Sequence, residues 1–106
     1  MEKISETSGN GNGCFYLEKI LTEELGDKCA LYARVTVPPG ASVGYHQHLG
    51  NGESYFFLAG TGLYDDNGVK RSVKAGDSTW TPSGSSHGVE NNGAEDLVFM
   101  ALIINE

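Results

Sequence analysis

The chain has 106 residues, with 14 acidic side chains against seven basic ones and a formal net charge of −7. That length makes one domain with one modest core. The charge argues against two partner classes: singly scattered lysines and arginines make no basic patch for nucleic acid, and an acidic surface is repelled by anionic lipid.

The N-terminal stretch Met1-Glu2-Lys3-Ile4-Ser5-Glu6-Thr7 is polar and lacks the apolar run of a secretory signal, so the cytoplasm is the default. Residues 8–13 alternate glycine with serine and asparagine, which reads as loop. A flexible segment over 1–13 and a folded domain over 14–106 are therefore expected. Cys14 and Cys29 belong to no CxxC pattern, and the plain reading is two reduced, buried thiols. A short helix is expected around residues 20–25, and no other.

From residue 29 the pattern is that of strands. Over 29–37 the odd positions are apolar, a period of two, until Pro38-Pro39-Gly40 stops the run. Residues 53–59 form an aromatic-rich strand closed by Gly60. Asp65-Asp66-Asn67-Gly68 predicts a type I′ hairpin turn, with 69–74 as the returning strand. Ala75-Gly76-Asp77 turns the chain into a strand over 78–81, and 82–86 make a further loop. Residues 97–104 are apolar at nearly every position, which predicts a strand buried on both faces. About eight to ten strands with frequent turns make an all-β antiparallel sandwich or barrel. The 15 glycines, about twice the usual share, suit that many turns.

All three histidines lie in two glycine-bounded segments. One reads Gly40-x5-His46-x-His48-x4-Glu53-x6-Gly60, the other Gly76-x5-Pro82-x-Gly84-x2-His87-x3-Asn91. Three imidazoles and a carboxylate form a ligand set for a first-row transition metal. At i and i+2 on a strand, His46 and His48 point the same way while Gln47 points away. Residues 49–52 look like a four-residue turn, so a hairpin is expected to return Glu53 beside them. His87 must come from farther along, its approach set by Pro82 and Gly84. Taken singly, each of these residues has a plainer reading as surface or turn; the conjunction carries the inference.

These two segments resemble the two signature motifs of the cupin superfamily, and match them at every defining position. The resemblance implies a double-stranded β-helix, or jelly roll, with a metal inside the barrel mouth held by His46, His48, Glu53 and His87. It gives Pro82, Gly84, Asn91 and the bounding glycines structural roles. One divalent transition metal per chain is expected, manganese or iron foremost, with zinc, nickel and copper also chemically sensible. Four protein ligands leave an octahedral ion two further positions for a small oxygen ligand.

Tyr55 and Phe57 share the face of Glu53, so both are pocket candidates and Tyr55 a candidate proton donor. Tyr45, Trp80 and Met100 are further lining candidates, and Arg34 a candidate for a substrate carboxylate. Each has a plainer reading as packing or surface. Three functions stay open: a metal-dependent enzyme acting on a small carboxylate, diketone or sugar; a binding or sensor module; and a storage protein, which retained ligands argue against. Small cupins of this appearance resemble proteins called oxalate decarboxylases, but those carry arginine three residues before the first motif histidine, where this chain has Val43. A homodimer is expected, since residues 97–104 carry more apolar surface than one core face uses.

Overall fold

The computed structural model describes residues 2–5, 11, 13–21 and 23–106, with 2–5 described as backbone only. Ten strands run through them: β1 (Glu2–Ser5), β2 (Cys14–Lys19), β3 (Cys29–Val37), β4 (Ser42–Gln47), β5 (Asn51–Ala59), β6 (Thr61–Asp66), β7 (Val69–Lys74), β8 (Ser78–Thr81), β9 (Ser86–Glu90) and β10 (Leu97–Asn105). They form two sheets, ordered β1-β2-β3-β10-β5-β8 and β4-β9-β6-β7, with antiparallel neighbours throughout. This is the jelly roll that the motif resemblance implied. No helix among the described residues is long and apolar enough to cross a membrane.

Local chemistry explains several of these boundaries. Asn67 and Gly68 have φ of +51° and +98°, the two positive values that a type I′ turn demands between β6 and β7. Asp65 Oδ1 also accepts the Gly68 amide at 2.8 Å, tightening the turn. The helix expected around residues 20–25 is absent from the described residues there. Leu21 sits at φ +51°, and the helical element found is a 3-10 turn at Gly26–Lys28. Leu21 and Leu25 are exposed, so that stretch has no apolar stripe to bury against the sheets. Most of residues 1–13 lie outside the described residues; within that segment β1 pairs with β2.

The core fills the space between the sheets. Val35 and Val37 from β3, Tyr55 and Phe57 from β5, Tyr64 from β6, Val89 from β9 and Leu97, Phe99 and Ala101 from β10 are its centre. Strand β10 runs between β3 and β5, and only its inner face is buried: Leu97, Phe99 and Ala101 are, whereas Val98, Met100 and Leu102 on the other face are half-exposed. The expected burial on both faces is thus met on one side alone. Cys29 is buried and Cys14 partly so, and the two form no disulfide.

One local expectation is overturned. Strands β4 and β5 do not form a hairpin, because they belong to different sheets. Both edges of β5 are taken by β10 and β8, and β4 pairs with β9. The segment between them therefore crosses from one layer to the other, with Gly50 at φ +78°. Glu53 reaches the histidines from the opposite sheet.

Candidate metal centre

His46 and His87 are cross-strand partners on β4 and β9, so the two motifs meet as neighbours in one sheet. The register slips between Val43 and His46, leaving Gly44 and Tyr45 opposite the single residue Gly88, which is a β-bulge. Gly88 permits it: a Cβ there would lie 3.0 Å from Tyr45 N, Tyr45 Cα and Val43 O, all backbone. His48 lies just beyond β4 and is clamped by the proline-glycine turn. Its amide donates to Ser85 O at 3.0 Å, and the Gly84 amide donates to His48 O at 2.6 Å.

The four side chains converge. Their ligand atoms all lie within 4.8 Å of one another. His48 Nε2 and His87 Nε2 stand 3.0 and 2.9 Å from Glu53 Oε1 and 3.1 Å from each other, while His46 Nε2 is 4.0 Å from that oxygen. Three of these spacings are close to the separation of about 3.0 Å between neighbouring ligand atoms around an ion with bonds of about 2.1 Å, while His46 stands farther out. The three imidazole centroids are 4.8, 4.9 and 5.0 Å apart, as expected for three rings sharing one triangular face.

Each imidazole also has an oxygen acceptor on its outer nitrogen. His46 Nδ1–H donates to Gly44 O at 2.6 Å and His48 Nδ1–H to Asn51 Oδ1 at 2.7 Å, and His87 Nδ1 shares a hydrogen bond of 2.8 Å with Tyr64 Oη. A proton on Nδ1 leaves the Nε2 lone pair for the centre, and these acceptors fix the ring planes. Asn51 and Tyr64 were missed by sequence reasoning. Asn51 sits in a segment that reads as a simple turn, and Tyr64 is brought to His87 only by the β6–β9 register.

The charges are arranged to match. Burial alone would push the Glu53 carboxyl up, but hydrogen bonds from His48 and His87 outweigh it and leave Glu53 below the ordinary carboxylate range. His48 is raised, chiefly by its hydrogen bond to Glu53 and against its own burial. His87 is lowered, because burial outweighs the pull of Glu53. The group can hold a metal ion.

Of the pocket candidates, one meets this cluster and a second lies behind it. Tyr55 is 2% exposed, and its ring centroid lies 4.8 Å from that of His87 and 4.2 Å from that of Phe99. Phe57 continues the same inner face deeper into the core. The other four point elsewhere. Arg34 is exposed on the outer face of the six-stranded sheet, paired with Glu18, and its cross-strand partner Met100 shares that face. Trp80, 51% exposed, stands on the same outside beside Ser54. Tyr45 is exposed on the outside of the four-stranded sheet, in a groove with Leu63, Asp65 and Lys70. In each case the alternation of the strand gives the inner face to a neighbour: Val35, Thr81, Phe99 or His46. Register adds inner-face residues not anticipated from sequence: Ile103 beside Glu53 and Leu31, and Ala101 beside Tyr55 and Ala33.

Comparison with known proteins decides the family. Residues 33–103 match the family described as the cupin domain. The chain belongs to the cupin family. This cupin is 45% identical over 104 residues to a Thermotoga maritima protein named oxalate-binding protein, covering 97% of this chain and 85% of that one. It also superposes on the crystal structure of a predicted oxalate decarboxylase from Thermotoga maritima with a TM-score of 0.93, at 43% identity and covering 99% and 91% of the two chains. A Klebsiella pneumoniae mannose-1-phosphate guanylyltransferase is 37% identical over 69 residues, but these amount to 65% of this cupin and only 15% of the transferase. The Cnp3 cupin domain of Schizosaccharomyces pombe, with a TM-score of 0.80 at 17% identity over 87% of this chain and 61% of that one, shares the fold.

Proposed function

We propose that this cupin binds one divalent transition metal, manganese or iron foremost, through His46, His48, Glu53 and His87, and through it holds a small chelating carboxylate of the oxalate type. The observation that carries this is the spacing of the ligand atoms. Three imidazoles and one carboxylate oxygen gathered within 4.8 Å would hold the ion and leave a six-coordinate metal two further positions, which would suit a ligand that binds through two oxygens. When bound, the metal supplies a Lewis acid that neutralises carboxylate charge. The chain's own residues do the rest: Glu53 and the three imidazoles form the cage, and Tyr55, Ile103 and Leu31 offer an apolar wall that excludes water.

The 45% identity to an oxalate-binding protein over nearly the whole chain supports this choice of ligand. Val43, in the position where oxalate decarboxylases resembling this cupin carry arginine, is buried in the core. Binding without turnover is accordingly the first reading. Turnover, with Tyr55 as proton donor, is the second, favoured by the placement of that ring against His87. Two coarser features belong to the same picture. Cys14 and Cys29, which form no disulfide, suit a reducing, cytoplasmic compartment, and residues 14–106 make the cupin domain.

The cupin also pairs with a second copy in this reading. The outside of the six-stranded sheet exposes Phe56, Leu58 and Trp80, with the half-exposed Met100 and Leu102 alongside on β10. Arg34 and Glu18 there neutralise each other, so two such faces meet without the repulsion a chain of net charge −7 would otherwise suffer.

Metal analysis of the purified protein tests the central reading, followed by calorimetry of the manganese form with oxalate, malonate and acetate. We expect close to one metal per chain, and oxalate bound only by the loaded protein and more tightly than acetate. The His48→Ala, His87→Ala double variant should lose both. Formate and carbon dioxide appearing from hydrogen oxalate would favour the second reading. A wild type without metal enrichment would overturn the proposal.

A further inference from the structure

Among the three outer nitrogens of the imidazoles, that of His87 is in the driest place. His46 gives its proton to a backbone carbonyl, which is present whatever the side chains are. His48 gives its proton to Asn51 at a partly buried position that water can reach. His87 and Tyr64, by contrast, are both fully buried, 0% exposed.

The surroundings of Tyr64 are built around its hydroxyl. That oxygen stands 2.8 Å from His87 Nδ1 and 3.0 Å from Thr81 Oγ1; with Nε2 given to a metal, Nδ1 carries the ring proton and the phenol oxygen accepts it. The Arg71 guanidinium lies 5.5 Å from the ring centroid, held towards Asp66 at 3.6 Å, and covers the ring from solvent. A phenyl ring in the same place would leave the Nδ1–H with no acceptor and no room for a water to replace it.

We propose that Tyr64 is the positioning residue of the metal centre: its hydroxyl holds the His87 Nδ1–H and thereby sets how tightly Nε2 binds the ion. This rests on the reading of the four side chains as metal ligands. Partners of this kind behind a metal-bound histidine typically contribute about 10–100-fold in metal affinity. Tyr64 belongs to neither signature segment, and nothing in the alternation around it distinguishes it from ordinary core.

The test is a cobalt(II) titration of the wild type, Tyr64→Phe and Asn51→Ala, reading affinity and the visible d–d spectrum of the bound ion. Tyr64→Phe should bind about 10–100-fold more weakly with a shifted spectrum, and Asn51→Ala should lose less. Wild type that takes up cobalt beside a Tyr64→Phe variant within about twofold and of the same spectrum would overturn this inference alone. Wild type that takes up none would overturn the ligand reading itself. A merely structural tyrosine would lower the melting temperature of metal-free and loaded protein alike and leave the spectrum unmoved. Should Tyr64→Phe fail to fold, the zinc-loaded wild type still decides by ¹⁵N NMR. A slowly exchanging His87 Nδ1–H with a contact to the Tyr64 ring supports the assignment, and a freely exchanging one refutes it.

Discussion

The bounding glycines of the two motifs look equivalent in sequence, and alanine substitution should separate them. Gly40, Gly60, Gly76 and Gly84 all adopt positive φ, at +82°, +81°, +92° and +93°. An L side chain in that region costs about 1–2 kcal/mol at any of the four. Only Gly60 adds a collision. A Cβ there would lie 2.3 Å from Asp96 O and 3.0 Å from Asp96 C and Leu97 Cα, whereas the other three meet no heavy atom within 4 Å. The colliding atoms are backbone at the start of β10, next to the fully buried Leu97, so they cannot swing away as a side chain would. Overpacking of that kind adds about 1–3 kcal/mol. Gly60→Ala should therefore lose about 2–5 kcal/mol, and Gly76→Ala and Gly84→Ala about 1–2 kcal/mol each. Urea unfolding of the metal-stripped proteins reads this directly, as a lower midpoint at unchanged slope. A Gly60→Ala protein no less stable than Gly84→Ala would refute the argument, because the two differ only in the contact.

Three further outcomes follow from the same geometry. Asn91 is 3% exposed, donates to Val37 O at 2.8 Å and Glu95 O at 2.7 Å, and accepts from the Gly93 amide at 2.9 Å. Asn91→Ala should cost about 2–4 kcal/mol in urea unfolding and leave metal stoichiometry untouched; lost metal at normal stability would contradict a purely structural role. Metal affinity should fall on acidification, because His48 is raised and the ion must displace its proton, whereas the lowered Glu53 stays ionised until the pH is below its ordinary range. Titrations between pH 5.5 and 8.5 should show affinity rising with pH and then levelling once His48 is neutral; a flat profile would refute that protonation order. For metal-free stability the signs are opposite: the raised His48 contributes below its unfolded value of 6.5 and less as pH rises through its folded one, while the lowered Glu53 contributes above its unfolded value of 4.5 and less as pH falls through its folded one. Finally, Phe56→Asp on the exposed sheet face should shift the protein to a monomer in light scattering, and a wild type already monomeric at high concentration would remove the pairing surface.

Much of this was legible in the residues because it depends on short-range rules. The Asn67-Gly68 turn needs two positive φ values that this dipeptide supplies cheaply. The ends of β3, β7 and β8 fall where proline, glycine and period-two alternation put them. The ligand types and their confinement to two segments were likewise visible, since a metal cage needs particular atoms wherever the chain runs. What the tertiary structure alone decided was which side of each strand faces in and which strands become neighbours. Alternation groups Phe56 with Leu58 and Tyr55 with Phe57, but with apolar residues on both faces it does not say which pair is buried; the same ambiguity placed Arg34, Tyr45, Trp80 and Met100 as pocket candidates. Pairing between strands far apart in sequence depends on the packing of the whole sandwich. That packing sent Glu53 into the sheet opposite the histidines, set His46 beside His87, and brought Tyr64 to the one imidazole nitrogen that water cannot reach.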